Sequence, residues 1–229
     1  MLFIVLALIA VQCARMLVAG LLVQTAQSEI DRWTAAARAP GIAEIRLAAK
    51  YYLDSLEFAP ENPWALEGLG SLDLAKMRAS RIPRDALAVT RDAHARFRQA
   101  LVQRPTSAFL WANLALAKLY LDEIDDELLG ALRQADELGP WEAAVQETTL
   151  FVGLAAWHDL DPALQQAIAR TAERGASRNA QKMFEIVNSY RRLDLICAIE
   201  KYQAIAAAAC RKTADAARSG EALRQGYRP

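Results

Sequence analysis

Residues 105–140 carry the spacing that most restricts what this chain can fold into. They read PTSAFLWANLALAKLYL, then a short acidic link, then DELLGALRQADELGP. Trp111, Leu114, Ala115, Leu116, Leu119 and Tyr120 recur at three- and four-residue steps, which places one apolar stripe along a helix. Pro105 and Ser107 stand where a helix start is expected. A second periodic run, Leu128, Leu129, Leu132, Ala135 and Leu138, closes at Gly139-Pro140, a C-cap glycine before a residue that cannot continue a helix. The segment therefore predicts a helical hairpin.

The order of features recurs upstream in FAPENPWALEGLGSLDLA: a helix ends, proline follows, then an aromatic residue and leucines on one face. Trp111 with Leu114 and Ala115, and Leu69-Gly70 behind Trp64, match the first-helix pattern of the tetratricopeptide repeat. Ala93, Phe97, Ala100 and Pro105, and Ala48, Tyr52, Ser55 and Pro60, match its second helix. The chain thus resembles tetratricopeptide-repeat (TPR) proteins. From residue 105 to 140 is about one repeat period, and from 60 to 105 is roughly a third longer. No stretch alternates convincingly enough to be a strand. The expected fold is all-α, an N-terminal transmembrane helix followed by an α-solenoid of TPR-like hairpins.

Residues 1–23 are apolar except for Gln12, Cys13 and Arg15, and as a helix they reach roughly 35 Å, enough to cross a bilayer. The stretch lacks a charged leading region and a small-residue cleavage site, so it reads as a retained anchor. Cys13 lacks the small residues before it that lipoprotein processing requires. Two readings of Arg15 stand: a side chain that snorkels to the interface or a helix that sits shallow, on the one hand, and pairing with an acidic group on a partner transmembrane helix on the other. The expected organisation is an anchor at 1–23, a juxtamembrane helix or linker at 24–40, a helical domain at 41–218 and a flexible tail at 219–229. Within the domain, a helix opening at Pro162 is expected to end at Gly175. Residues 177–190 and 193–202 then read as two further helices, and a last helix starts at 204.

Lys and Arg number 27, equal to Asp and Glu, so no global field points to nucleic acid. Locally, Arg78, Arg81, Arg84 and Arg91 form a basic excess. It suits either a solvated connector or contact with an anionic surface. The acidic run from Asp122 to Glu127 lacks the glycine and spacing of a calcium loop and reads as a helix start. Cys197 and Cys210 suit either a disulfide stapling the terminal hairpin or buried thiols; an unbroken helix between them would separate them by about 20 Å and forbid the bond.

Chemistry-bearing patterns are sparse. His94 and His158 have no partner at metal-ligand spacing. Gly68-Leu69-Gly70 follows no strand and is not a phosphate loop, and no nucleophile elbow, Walker lysine or metalloprotease helix occurs. No catalytic residue, metal or cofactor is expected. Trp64, Trp111, Trp141 and Trp157 fall at comparable places in successive first helices and read as core. Glu67, Asn113, Gln146 and Glu147 are candidates to line a concave groove that holds proteins or peptides.

One N-terminal span followed by TPR-like repeats, with the PTSxxxWANLALA and ELGPWE segments, also resembles membrane-anchored TPR proteins of bacterial exopolysaccharide and O-antigen biosynthesis. That resemblance implies a noncatalytic scaffold in the inner membrane with its soluble domain in the periplasm. The alternatives are a chaperone holding a client peptide during cytochrome or other envelope-complex assembly, and an enzyme subunit of unrecognised type.

Overall fold

The computed structural model describes residues 2–36, 40–79, 83–212 and 214, and among these there is no strand. The helices are α1 (Leu2–Ala35), α2 (Ile42–Phe58), α3 (Pro63–Ala79), α4 (Pro83–Gln103), α5 (Ala108–Tyr120), α6 (Asp126–Leu138), α7 (Ala143–Ala155) and α8 (Pro162–Ser189). A further helix, α9, covers residues 203–212. The chain divides into two compact units, Met1–Leu121 and Asp122–Pro229, which corrects the hairpin expected over 105–140: α5 belongs to the first unit and α6 to the second, each taken up by helices of its own unit.

Local chemistry sets the helix starts. Asn62 accepts from the Trp64 amide, Ser107 from Leu110, Asp125 from Leu128 and Asp161 from Leu164. Each satisfies one of the amides that a helix N-terminus leaves without an intrahelical partner. Ahead of α2, the Gly41 amide donates to Glu44 at 2.7 Å.

In the first unit, α1 is one unbroken helix that runs from the apolar stretch into the body and lies antiparallel to α2. Ala26 and Trp33 of α1 join Ile45, Ala48, Ala49 and Tyr52 of α2, and Ala65, Leu69 and Leu72 of α3, in one apolar cluster. Hairpin packing then depends on two glycines. A β-carbon on Gly68 would lie 2.2 Å from the Tyr52 ring and one on Gly70 would lie 2.6 Å from the Phe97 ring. Each glycine lets a buried aromatic ring from the neighbouring helix rest against the α3 backbone. Asp73, buried beside them, pairs with Arg96 of α4 and with Lys76.

The second unit repeats the device with an aliphatic side chain: Gly153 of α7 would meet Ile168 of α8 at 2.4 Å if it carried a β-carbon. Leu128, Leu132, Leu150, Ile168, Met183 and Tyr202 fill its core. Tyr202 donates to the Ala172 carbonyl at 2.5 Å. Asp136 accepts from Thr171 at 2.9 Å and pairs with Arg174.

Two expectations need correction here. The helix that opens at Pro162 runs past Gly175 and breaks at Asn179 (φ −148°, ψ 61°), so α8 is two helical stretches across a kink, the second ending at Ser189; the expected division stands and its boundary moves a few residues on. Gly175 is instead a packing position, since a β-carbon there would meet the Met183 sulfur at 2.6 Å across that kink. Residues 193–202 are not an α-helix but contain two short 3₁₀ turns, Leu193–Leu195 and Glu200–Tyr202. The turn between them folds the chain back, and Cys197 and Cys210 are joined by a disulfide with their Cα atoms 5.6 Å apart.

Candidate functional site

A concave site in the first unit lies where α1 meets the α2–α3 turn. Ser55, fully buried, donates to the Ala19 carbonyl at 3.0 Å and accepts from the Asn62 side chain at 3.2 Å. One turn further along α2, Arg15 Nε donates to the Phe58 carbonyl at 3.1 Å. That carbonyl is in the last turn of α2, where intrahelical donors run out, so the guanidinium supplies a missing partner. Gln103 at the end of α4 donates to Glu61 at 3.1 Å and ties the turn to the next hairpin.

These contacts frame an open cavity of about 640 Å³, lined among others by Arg15, Met16, Phe58, Pro60, Trp64 and Gln103. The Arg104 guanidinium stacks 3.4 Å over the Trp64 ring and pairs with Glu67. Cation–π stacking and the carboxylate fix Arg104 in one plane. The cavity gathers an apolar floor, one guanidinium, amides and one carboxylate. That combination suits an amphiphile; the lining contains no pair of groups placed for proton transfer or nucleophilic attack.

The other residues singled out above are dispersed. Glu67 is held by Arg104, and Asn113 is half-buried on α5. In the second unit Gln146 is buried and donates to the Pro140 carbonyl at 2.7 Å, while Glu147 accepts from Asn179 at 2.9 Å. Three of the four groove candidates therefore make bonds within the fold. Arg78, Arg84 and Arg91 are exposed, and Arg81 lies outside the described residues. By helical rise Arg84 stands roughly 30 Å along α4 from the Arg104 end, remote from the cavity.

The tryptophan expectation is corrected. Trp64 and Trp141 are 56% and 59% exposed. Trp111 and Trp157 are half-buried, and only Trp33 is in the core. The physical reason is register. Counted from Pro60 and Pro105, Trp64 matches Phe109, which is 40% exposed, whereas Trp111 matches buried Leu66. Trp111 Nε1 donates to the Pro105 carbonyl at 2.7 Å, the bond that Gln146 makes to Pro140 six residues on from its own proline. Trp157 stacks under Arg192, 3.9 Å from its ring, and Arg192 grips Asp194 through two nitrogens. That guanidinium holds the Asp194 carboxyl below its usual range.

Comparison with known protein families, with curated proteins and with solved structures yields no match to the chain. Among the described residues, no three His, Cys, Asp or Glu side chains are grouped to hold a metal ion. The cavity beside Arg15 was not legible in the sequence, because Arg15, Phe58 and Gln103 are far apart in the chain. The one available signal was a lone arginine interrupting an apolar run.

Proposed function

We propose that the protein is a membrane-anchored scaffold of TPR-like helical hairpins that holds protein partners close to the bilayer and makes no bonds itself. One observation carries this reading: α1 passes without a break from its apolar stretch into the packed body, where Arg15 and Ser55 bond it to α2. A helix of that kind transmits position, whereas a flexible linker would release the body to diffuse. α1 is long and apolar enough to cross a membrane, with an 18-residue window of mean hydropathy 2.4.

The repeat reading draws support from burial at matching distances before each proline. Ala48, Tyr52 and Ser55 precede Pro60; Ala93, Phe97 and Ala100 precede Pro105; Leu128, Leu132 and Ala135 precede Pro140. All nine are buried. The Cys197–Cys210 disulfide favours the periplasmic side of the inner membrane, since such bonds persist in oxidising compartments. A place in envelope polysaccharide assembly or export rests on the order of parts and the segments quoted above.

The test is photocrosslinking in intact cells from benzophenone side chains placed at Asn113 and Trp141, one in each unit. Adducts with membrane subunits of polysaccharide assembly are expected. No adduct from either position, or substrate turnover by the purified domain alone, would overturn the scaffold reading.

A further inference from the structure

The end of the first unit that carries the cavity adjoins the apolar part of α1. Beyond Arg15, α1 stays apolar through Val23, and Met16, Leu17 and Leu21 are 58%, 65% and 60% exposed. Those side chains need an apolar cover on the level at which α2 ends, because Phe58 touches Arg15 and Ser55 touches Ala19.

The polar groups agree with that level. Arg15 lies about one turn inside the hydrocarbon and snorkels its guanidinium to the boundary, where it reaches phosphates; roughly 26 Å of helix, residues 2–18, then crosses the apolar core. Trp64, more than half exposed and capped by Arg104, is of the type enriched in interfacial belts. Glu61 is exposed at the tip of the turn and keeps that tip out of the hydrocarbon.

We propose that the α2–α3 turn sits in the headgroup layer and that the cavity beside Arg15 takes a phospholipid from that leaflet. The phosphate meets the Arg15 guanidinium, four of whose five N–H donors remain after the bond to Phe58. The first acyl carbons lie on Met16, Phe58 and Trp64. The proposal rests on the membrane-anchored part of the function above, and goes beyond it by making a lipid the ligand of a built site. The scaffold would then be fixed in height and in rotation about α1, because the lipid-filled cavity favours one face toward the leaflet.

The experiment uses the full chain with Cys13→Ser, which leaves the disulfide pair intact, and a single added cysteine: Pro60→Cys, Trp64→Cys or Arg78→Cys. Each is labelled with an environment-sensitive fluorophore and reconstituted in phosphatidylcholine–phosphatidylglycerol vesicles carrying a nitroxide on the headgroup. Quenching at 60 and 64 is expected to exceed that at 78 severalfold, position 78 being roughly 21 Å along α3 from position 64. Equal quenching at all three sites, or a 60 and 64 signal shielded in native membranes by a protein, overturns the embedding.

Native mass spectrometry of the same protein released from nanodiscs should show one retained phospholipid, and Arg15→Gln should weaken retention about tenfold, the effect of losing a charge-assisted bond. Trp64→Ala provides a second variant at an exposed position should Arg15→Gln disturb folding. Retention unchanged in both overturns the lipid site. A carbonate wash separates the two readings: protein that stays in the pellet with unquenched labels loses only this proposal, and protein that washes out loses the anchor as well.

Discussion

Gly70 and Gly130 make opposite demands on a β-carbon although both stand inside helices. At Gly70 the carbon would enter the space of the fully buried Phe97 ring, whereas at Gly130 nothing lies within 4 Å. Gly70→Ala is therefore expected to destabilise the fold by roughly 1–3 kcal/mol through overpacking. Gly130→Ala should stabilise it by up to about 1 kcal/mol, the helix-propensity difference. Urea unfolding of the two variants checks both signs. Tyr52, against Gly68, supplies a pH prediction. Burial first, and then the nearby Glu67 and Asp31 carboxylates, push its phenol up to about 12 from 10.0. The neutral form is favoured in the folded state, so this contribution is complete below pH 10 and is lost as pH rises toward 12. Denaturant midpoints for the wild type and Tyr52→Phe, compared across that range, should show a steeper alkaline loss in the wild type. At the acid end, Asp161 is held below its usual value by the Leu164 amide and then Arg133, so its contribution fades as pH falls through that depressed value.

Helix α6 shows how much an element owes to its first residues. Asp125 caps it by accepting from Leu128, and Asp126 and Glu127 follow in the first turn, where the helix dipole favours negative charge. Asp125, Asp126 and Glu127 thus serve the start of α6. Asp125→Ala should cost about 1 kcal/mol, read as a lowered denaturant midpoint with a small loss of helical circular dichroism. The C-terminal elements obey a different constraint. Two 3₁₀ turns and a reversal bring Cys197 to Cys210, closing a loop with a sequence separation of 13 residues. A loop near that length contributes roughly 3 kcal/mol when cross-linked. Replacing both cysteines with serine should lower stability by that order, and reductant should have the same effect on the wild type and none on the double variant. Apolar spacing around 193–202 suggested a helix; Tyr202, whose hydroxyl reaches the Ala172 carbonyl, helps hold the chain in turns instead.

For the whole molecule, the disulfide and the anchor lead to one topological expectation. A membrane-impermeant maleimide should fail to label Cys197 and Cys210 in intact cells until an impermeant reductant is added, whereas labelling that appears only after the cells are permeabilised would place them in the reducing compartment. Helix identity, the cap residues and the buried positions ahead of Pro60, Pro105 and Pro140 were legible in the sequence because they depend on contacts within about one turn and on apolar period. So was the 1–23 stretch, since length and hydropathy are properties of the chain itself. Other features needed the folded chain: which tryptophans face water, that Gly175 packs on Met183, that Arg15 finds the Phe58 carbonyl, and that Glu67, Gln146 and Glu147 are taken up by internal bonds. Each of these is decided by which side chains arrive from another helix, and a local pattern of spacing does not contain that arrival.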